Sequence, residues 1–125
     1  MVDKEELIKQ SQSTGGGGKK DDRGKLQSSL LIPKFINGII RVLEFGLVKY
    51  EANSWQKVIA GETRYFDALK RHWDAMIKDN GDIDLDSRDE ESGLPHLWHL
   101  QCNAYFLELF RLKQVEQKEK NNDDK

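Results

Sequence analysis

The chain has 125 residues, a formal net charge of -2 and a single cysteine, Cys102. That length admits one domain, and the charge supplies no basic field for duplex nucleic acid. A lone cysteine excludes a disulfide-stapled secreted fold and points to a reducing compartment. No apolar run approaches the roughly 20 residues of a membrane span, and the charged start MVDKEELIKQ has no signal-peptide core. A cytoplasmic protein with no membrane attachment is expected.

Residues 1–19 read as a disordered arm, because SQSTGGGG at 11–18 has linker composition. The helical domain is expected over 20–112, with a frayed polar tail over 113–125. Within the domain, the first helix follows Pro33, which suits an N-terminal helical position. Ile36, Ile39, Ile40, Leu43 and Leu47 recur at helical spacing and predict a buried stripe. The second helix opens after Gly61 and should run to about Asp79, with Tyr65, Leu69, Trp73 and Met76 inward and Asn80-Gly81 ending it. The third opens at Ser92-Gly93-Leu94-Pro95, Ser92 serving as N-cap, and runs past Phe110. The fold class is therefore all-α, a small bundle of three main helices. So small a core buries a modest share of its surface. Phe35, Phe45 and Trp98 should remain uncovered in a single copy, so a homo-oligomer of even order is expected.

The third helix carries the chemistry. At 100° per residue, His96, His99 and Asn103 lie within about 60° of arc, and Phe106, Leu107 and Phe110 continue the same inward face. Polar groups on a buried stripe cost free energy unless they have partners. One such histidine is most simply a satisfied core residue, whereas three clustered polar groups beside an acidic loop favour a site. That loop, GDIDLDSRDEE, ends in Asp89, Glu90 and Glu91 next to the histidines. Its carboxylates suit Mg²⁺, and the imidazoles suit a softer metal or acid–base work. On the second helix Arg64, Ala68, Arg71 and Ala75 line one side, with His72 at the border of the apolar stripe. Arginines spaced by alanines leave room for a phosphate, although pairing with Asp67 or Asp74 is an equal reading. In KYEANSW, Lys49 can meet phosphate, Asn53 a base or sugar edge, and Trp55 a base or the core.

The ordered series K-x-D-x-G-K, R-V-L-x-F-G-x-x-K-Y, N-x-W, R-Y-x-x-A-x-x-R-H, E-S-G-L-P-H-L-x-H and N-x-x-F-L resembles the dATP/dGTP diphosphohydrolases of phages and bacteria, relatives of the all-α MazG-like pyrophosphohydrolases. Here it reads Lys20 to Lys25, Arg41 to Tyr50, Asn53 to Trp55, Arg64 to His72, Glu91 to His99 and Asn103 to Leu107. The sequence departs from that pattern at Glu51, where glycine is usual, and at Asn37, where a MazG-like helix carries an acidic residue.

The resemblance implies hydrolysis of a purine deoxynucleoside triphosphate to monophosphate and pyrophosphate, with Mg²⁺ or alternatively Mn²⁺. It implies catalytic roles for His72, Glu91 and His99, and metal ligation by Asp89, Glu91, His96 and His99. Nucleotide binding would fall to Lys25, Lys49, Tyr50, Asn53, Trp55, Arg64, Tyr65, Arg71 and Asn103. Lys20, Asp22 and Lys25 belong to the pattern, so the end of the arm is expected to fold over the site. A protein that binds a nucleotide without cleaving it, to sequester or sense it, is the alternative, and a helical adaptor with a structural histidine cluster is the third reading.

Overall fold

The computed structural model describes residues 23–123. The chain divides into two units, Met1–Ile32 and Pro33–Lys125. In the first, the described residues hold a single 3-10 turn, Ser28–Leu30, closed by Leu31 N–H donating to the Ser28 carbonyl at 3.1 Å. The disordered arm expected over 1–19, and also Lys20 and Asp22, lie outside the described residues.

The second unit is a three-helix arrangement with no strand among the described residues. A 3-10 turn, Pro33–Phe35, leads into α1, Ile36–Lys49. A second, Ser54–Lys57, precedes α2, Gly61–Ala75, and α3 spans His96–Asp123. Both α1 and α2 pack on α3. α2 lies antiparallel to it: His72 meets His96, Tyr65 meets Phe106, and Gln114 Nε2 donates to Glu62 Oε1 at 3.0 Å. α1 crosses the first turns of α3, where Phe45 meets His99.

The face of α1 that meets α3 is set by Gly38. A Cβ built there would lie 2.5 Å from Trp98 Cδ1, so only glycine lets the helices approach this closely. Gly38 is buried, and Val42 and Phe45 follow it on the same side. Part of the predicted stripe is consequently turned outward: Ile36, Ile40 and Leu47 are 44%, 43% and 57% exposed, while Ile39 and Leu43 are half-buried. Asn37, Arg41 and Glu44 occupy one side of α1 and the rest of its circumference is mostly apolar, so periodicity left a wide arc within which the inward face could fall. On α2 the inward line is Tyr65, Leu69, His72 and Met76, while Trp73, at the edge of that arc, is half-exposed. α3 faces inward as expected, through His96, His99, Asn103, Phe106 and Phe110, and it also buries Cys102.

Two boundaries differ from the predicted ones. α2 ends at Ala75, not near Asp79, because the chain turns into a small hairpin: Ile77 bridges Ile83, and Lys78 N–H donates to the Asp82 carbonyl. Asn80-Gly81 is the tip of that hairpin, with Gly81 at φ +89°, rather than a helix cap. At the other end α3 stays helical to Asp123 where fraying was expected, exposed throughout from Arg111. No helix among the described residues is long and apolar enough to cross a membrane.

Candidate functional site

The loop from Met76 to Pro95 is two ordered turns, and their hydrogen bonds decide which carboxylates face the helices. The Asn80 carboxamide oxygen accepts the Asp82 N–H, Asp84 Oδ1 accepts the Asp86 N–H, and Asp86 pairs with Arg88 at 3.0 Å. These acids close turns. The second hairpin pairs Arg88 with Pro95, and His96 N–H donates to the Ser87 carbonyl at 2.8 Å. That closure delivers Asp89, alone of the loop acids, to the histidines.

Three imidazoles converge there, one from α2 and two from α3. His72 Nδ1 lies 2.8 Å from His96 Nδ1, and the His72 and His99 rings stack at 4.7 Å and 10°. Asp89 Oδ2 is 3.9 Å from His99 Nε2. Ser92 Oγ lies 2.7 Å from the same Nε2 and accepts the Leu94 N–H. Ser92 was expected as an N-cap. It caps the turn instead, because α3 begins at His96, beyond Pro95, and its hydroxyl is thereby aimed at His99. Phe45 sets its ring edge-on to His99 from α1.

Burial holds the His72 imidazole down to about 4, helped by repulsion from the neighbouring His99 and His96. Burial likewise lowers His99, against the opposing pull of Asp89. For Asp89 burial acts upward, but hydrogen bonds from the Ser92 backbone and hydroxyl outweigh it and keep the carboxyl below its ordinary value. A Ser92 hydroxyl that donates to Asp89 would accept Nε2–H of His99, and that tautomer would leave Nδ1 as the basic nitrogen. Stability should carry the mark of His72. Between pH 6.5 and about 4 the unfolded chain binds a proton that the folded one does not. The contribution of neutral His72 is therefore complete above pH 6.5 and lost as the pH falls toward 4. Tm measured by circular dichroism is expected to fall across this window, and less steeply in His72→Asn. A Tm independent of pH there would contradict it.

Beside the cluster opens a cleft of about 460 Å³, walled by α1, the 50–55 segment and α3. Lys49, Tyr50, Asn53, Trp55, Tyr65 and His99 all line it. His99 thus belongs to the cluster and to the cleft wall. Trp55 stacks near Phe106 and meets Phe110 edge-on at 5.0 Å, and Tyr65 lies 4.7 Å from Phe106. Asn53 is held at φ +62°, in the left-handed region that asparagine tolerates. Leu43 and Leu47, expected in the core, form part of the opposite wall.

Other expected site residues lie elsewhere. Glu91 forms an ion pair with Lys49 and is not among the ligand atoms that converge on the histidines. Arg64 and Arg71 are exposed, pair with no carboxylate among the described residues and do not line the cleft, because α2 turns its Arg/Ala side to solvent. Asn103 donates Nδ2–H to the His99 carbonyl at 2.8 Å within α3, so its amide is engaged in the helix itself. Lys25 lies in the first unit, exposed. The sequence signalled neither the Ser92 contact nor the walls contributed by Phe45 and Tyr105, which depend on how the helices cross.

The convergent donors are His72, Asp89 and His96, whose ligand atoms lie within 4.8 Å of one another. Mg²⁺ takes oxygen ligands and retains waters, so two imidazoles and one carboxylate do not fit it.

A family model described as dATP/dGTP diphosphohydrolase, N-terminal, matches residues 15–123. A dATP/dGTP diphosphohydrolase of Salmonella phage PMBT28 is 36% identical over 90 residues, covering 72% of this chain and 28% of that protein. The chain therefore spans little more than a quarter of that relative's length. No solved structure matches it.

Proposed function

The chain belongs to the dATP/dGTP diphosphohydrolase, N-terminal, family, and on that premise we propose that its cleft binds a purine deoxynucleoside triphosphate and hydrolyses it to monophosphate and pyrophosphate. The observation that carries the reading is the double position of His99. It closes the end of an aromatic-walled cleft and is also a member of the imidazole cluster. Trp55, Tyr65 and Tyr50 offer faces for a purine, and Asn53 offers an amide for its edge or the sugar. Lys49, at the same wall, exchanges Glu91 for phosphate. Water attacks the α-phosphorus, its proton passes to neutral His99 Nδ1, and the bond to the β-phosphate oxygen breaks to release pyrophosphate. A base with a lowered affinity for protons is unprotonated and ready at neutral pH. The reducing cytoplasm suits the free Cys102 thiol.

The direct test incubates the chain with each deoxynucleoside triphosphate and a panel of divalent cations, then separates products by ion-exchange chromatography. Monophosphate and pyrophosphate, most rapidly from dATP or dGTP, are expected. Diphosphate and orthophosphate, or intact nucleotide throughout, would overturn the hydrolytic reading, and intact nucleotide with tight binding would leave a binding protein in its place.

We further propose self-association. Among the described residues only Met76 and Cys102 are buried hydrophobics, while Phe35, Val48, Phe66 and Trp73 are 47%, 84%, 55% and 52% exposed. So thin a core needs more apolar surface covered than one copy provides. Of the residues expected to be left bare, Phe45 and Trp98 are partly covered within the chain, so the surface has shifted to the outer sides of α1 and α2. Light scattering is expected to give at least twice the 14.5 kDa chain mass. A monomer at tens of micromolar would contradict it.

A further inference from the structure

Two histidines on different helices turn the same nitrogen toward each other. His72 Nδ1 on α2 and His96 Nδ1 on α3 are 2.8 Å apart, and a carboxylate oxygen of Asp89 lies within 4.8 Å of a ring nitrogen of each histidine. Two lone pairs cannot face each other at that distance, so without a metal one ring must present Nδ1–H to the other, and a bound cation would take the place of that proton. Imidazole nitrogens bound at about 2.0–2.1 Å stand about 2.9 Å apart when they subtend a right angle at a metal, and about 3.4 Å apart at a tetrahedral angle. The observed separation matches neighbouring positions of an octahedron.

We infer that His72, Asp89 and His96 form a site for a divalent first-row transition-metal ion that discriminates against Mg²⁺. Three side chains from α2, the second hairpin and α3 supply two borderline nitrogen donors and one oxygen, a set that favours such ions over harder ones. The neighbouring groups are otherwise engaged. His99 Nε2 is held by Ser92 Oγ, and Glu91 is paired with Lys49. Asp89 also accepts the Ser92 N–H at 2.9 Å, a second contact that orients the carboxylate. The remaining coordination positions fall to water. Because all three ligands come from separate elements, the ion would tie α2 and the hairpin to the start of α3.

The test uses metal alone, so its failure leaves the nucleotide reading intact, and absence of turnover leaves this one intact. Co²⁺ is titrated into the full chain and followed by its visible absorption. A saturable spectrum with one ion per chain is expected, unchanged by a thousandfold excess of Mg²⁺. It should persist in Glu91→Gln and weaken at least tenfold in His72→Asn and in His96→Asn. Displacement by equimolar Mg²⁺, or a spectrum retained in both histidine variants, would overturn the inference. A second measurement needs no variant. The chain has three histidines, so ¹⁵N labelling of histidine gives three resolvable rings. Zn²⁺, the diamagnetic probe, is expected to move the Nδ1 signals of His72 and His96 and leave the nitrogen-bonded state of His99 unchanged. Movement of His99 alone, or of none, would overturn it.

Discussion

Replacing His99 with glutamine is expected to lower turnover of the preferred deoxynucleoside triphosphate by about 10²- to 10⁴-fold, the usual worth of a positioned general base. Glutamine keeps an amide able to donate to Ser92 Oγ, so the 2.7 Å contact at Nε2 has a substitute. It has no basic nitrogen to take a proton from water. The ring also lines the cleft and stacks on His72, so the substitution acts where substrate and cluster meet. A purely structural histidine would behave differently. Its loss would leave a polar partner orphaned at a cost of about 1–3 kcal/mol, with turnover per folded molecule unchanged. Measuring kcat and Tm on one preparation separates the cases. A large drop in Tm with kcat preserved would remove His99 from the reaction.

Two glycines of α1 are expected to respond to alanine with opposite signs. At Gly38 the new Cβ would fall 2.5 Å from Trp98 Cδ1 and 2.6 Å from Cγ. Those atoms belong to a rigid ring rather than to the end of a flexible chain. Alanine gains about 1 kcal/mol of helix propensity over glycine, but overpacking costs about 1–3 kcal/mol, and the ring has to move. Sterics win, and Tm falls by several degrees. Trp98 stands between His96 and His99 on α3, so the displacement should also loosen the cluster and depress turnover. At Gly46, about two helix turns further on, nothing lies within 4 Å of an added Cβ. There the propensity gain acts alone, and Gly46→Ala should raise Tm slightly. Thermal unfolding of both variants by circular dichroism checks the pair. Equal shifts in the same direction would mean that α1 does not meet α3 through Gly38.

The same glycine shows what the sequence could and could not convey. Helical spacing located all three helices, and on α3 it also identified the inward face, because Phe106 and Phe110 continue the line of His96 and His99. On α1 the apolar residues cover a wide arc opposite Asn37, Arg41 and Glu44, and the choice of face within it came from a backbone approach at Gly38 that no periodicity encodes. His72 was visible only as a border residue; its partner His96 is 24 positions away and meets it through antiparallel packing. The acidic loop read as a supply of ligands, yet Asp82, Asp84 and Asp86 are engaged in turns and only Asp89 reaches the imidazoles. Glu91 has the right type and neighbourhood for a ligand and is held by Lys49 instead. Arg64 and Arg71 have the spacing of a phosphate clamp, but the rotation of α2 that turns His72 inward turns them out.

Three tryptophans give the most direct measurement of whether the nucleotide enters the cleft beside the histidines. Trp55 lines the cleft, Trp98 packs against Gly38, and Trp73 is half-exposed away from the cleft wall. Their three indole N–H signals in a ¹H–¹⁵N spectrum can be followed while dATP or dGTP is added without metal, which separates binding from turnover. The expected result is a saturable shift of the Trp55 signal together with the His99 ring, and little change at Trp73. Shifts confined to Trp73, or Trp55 and His99 signals unmoved at saturating nucleotide, would contradict the cleft as the nucleotide site.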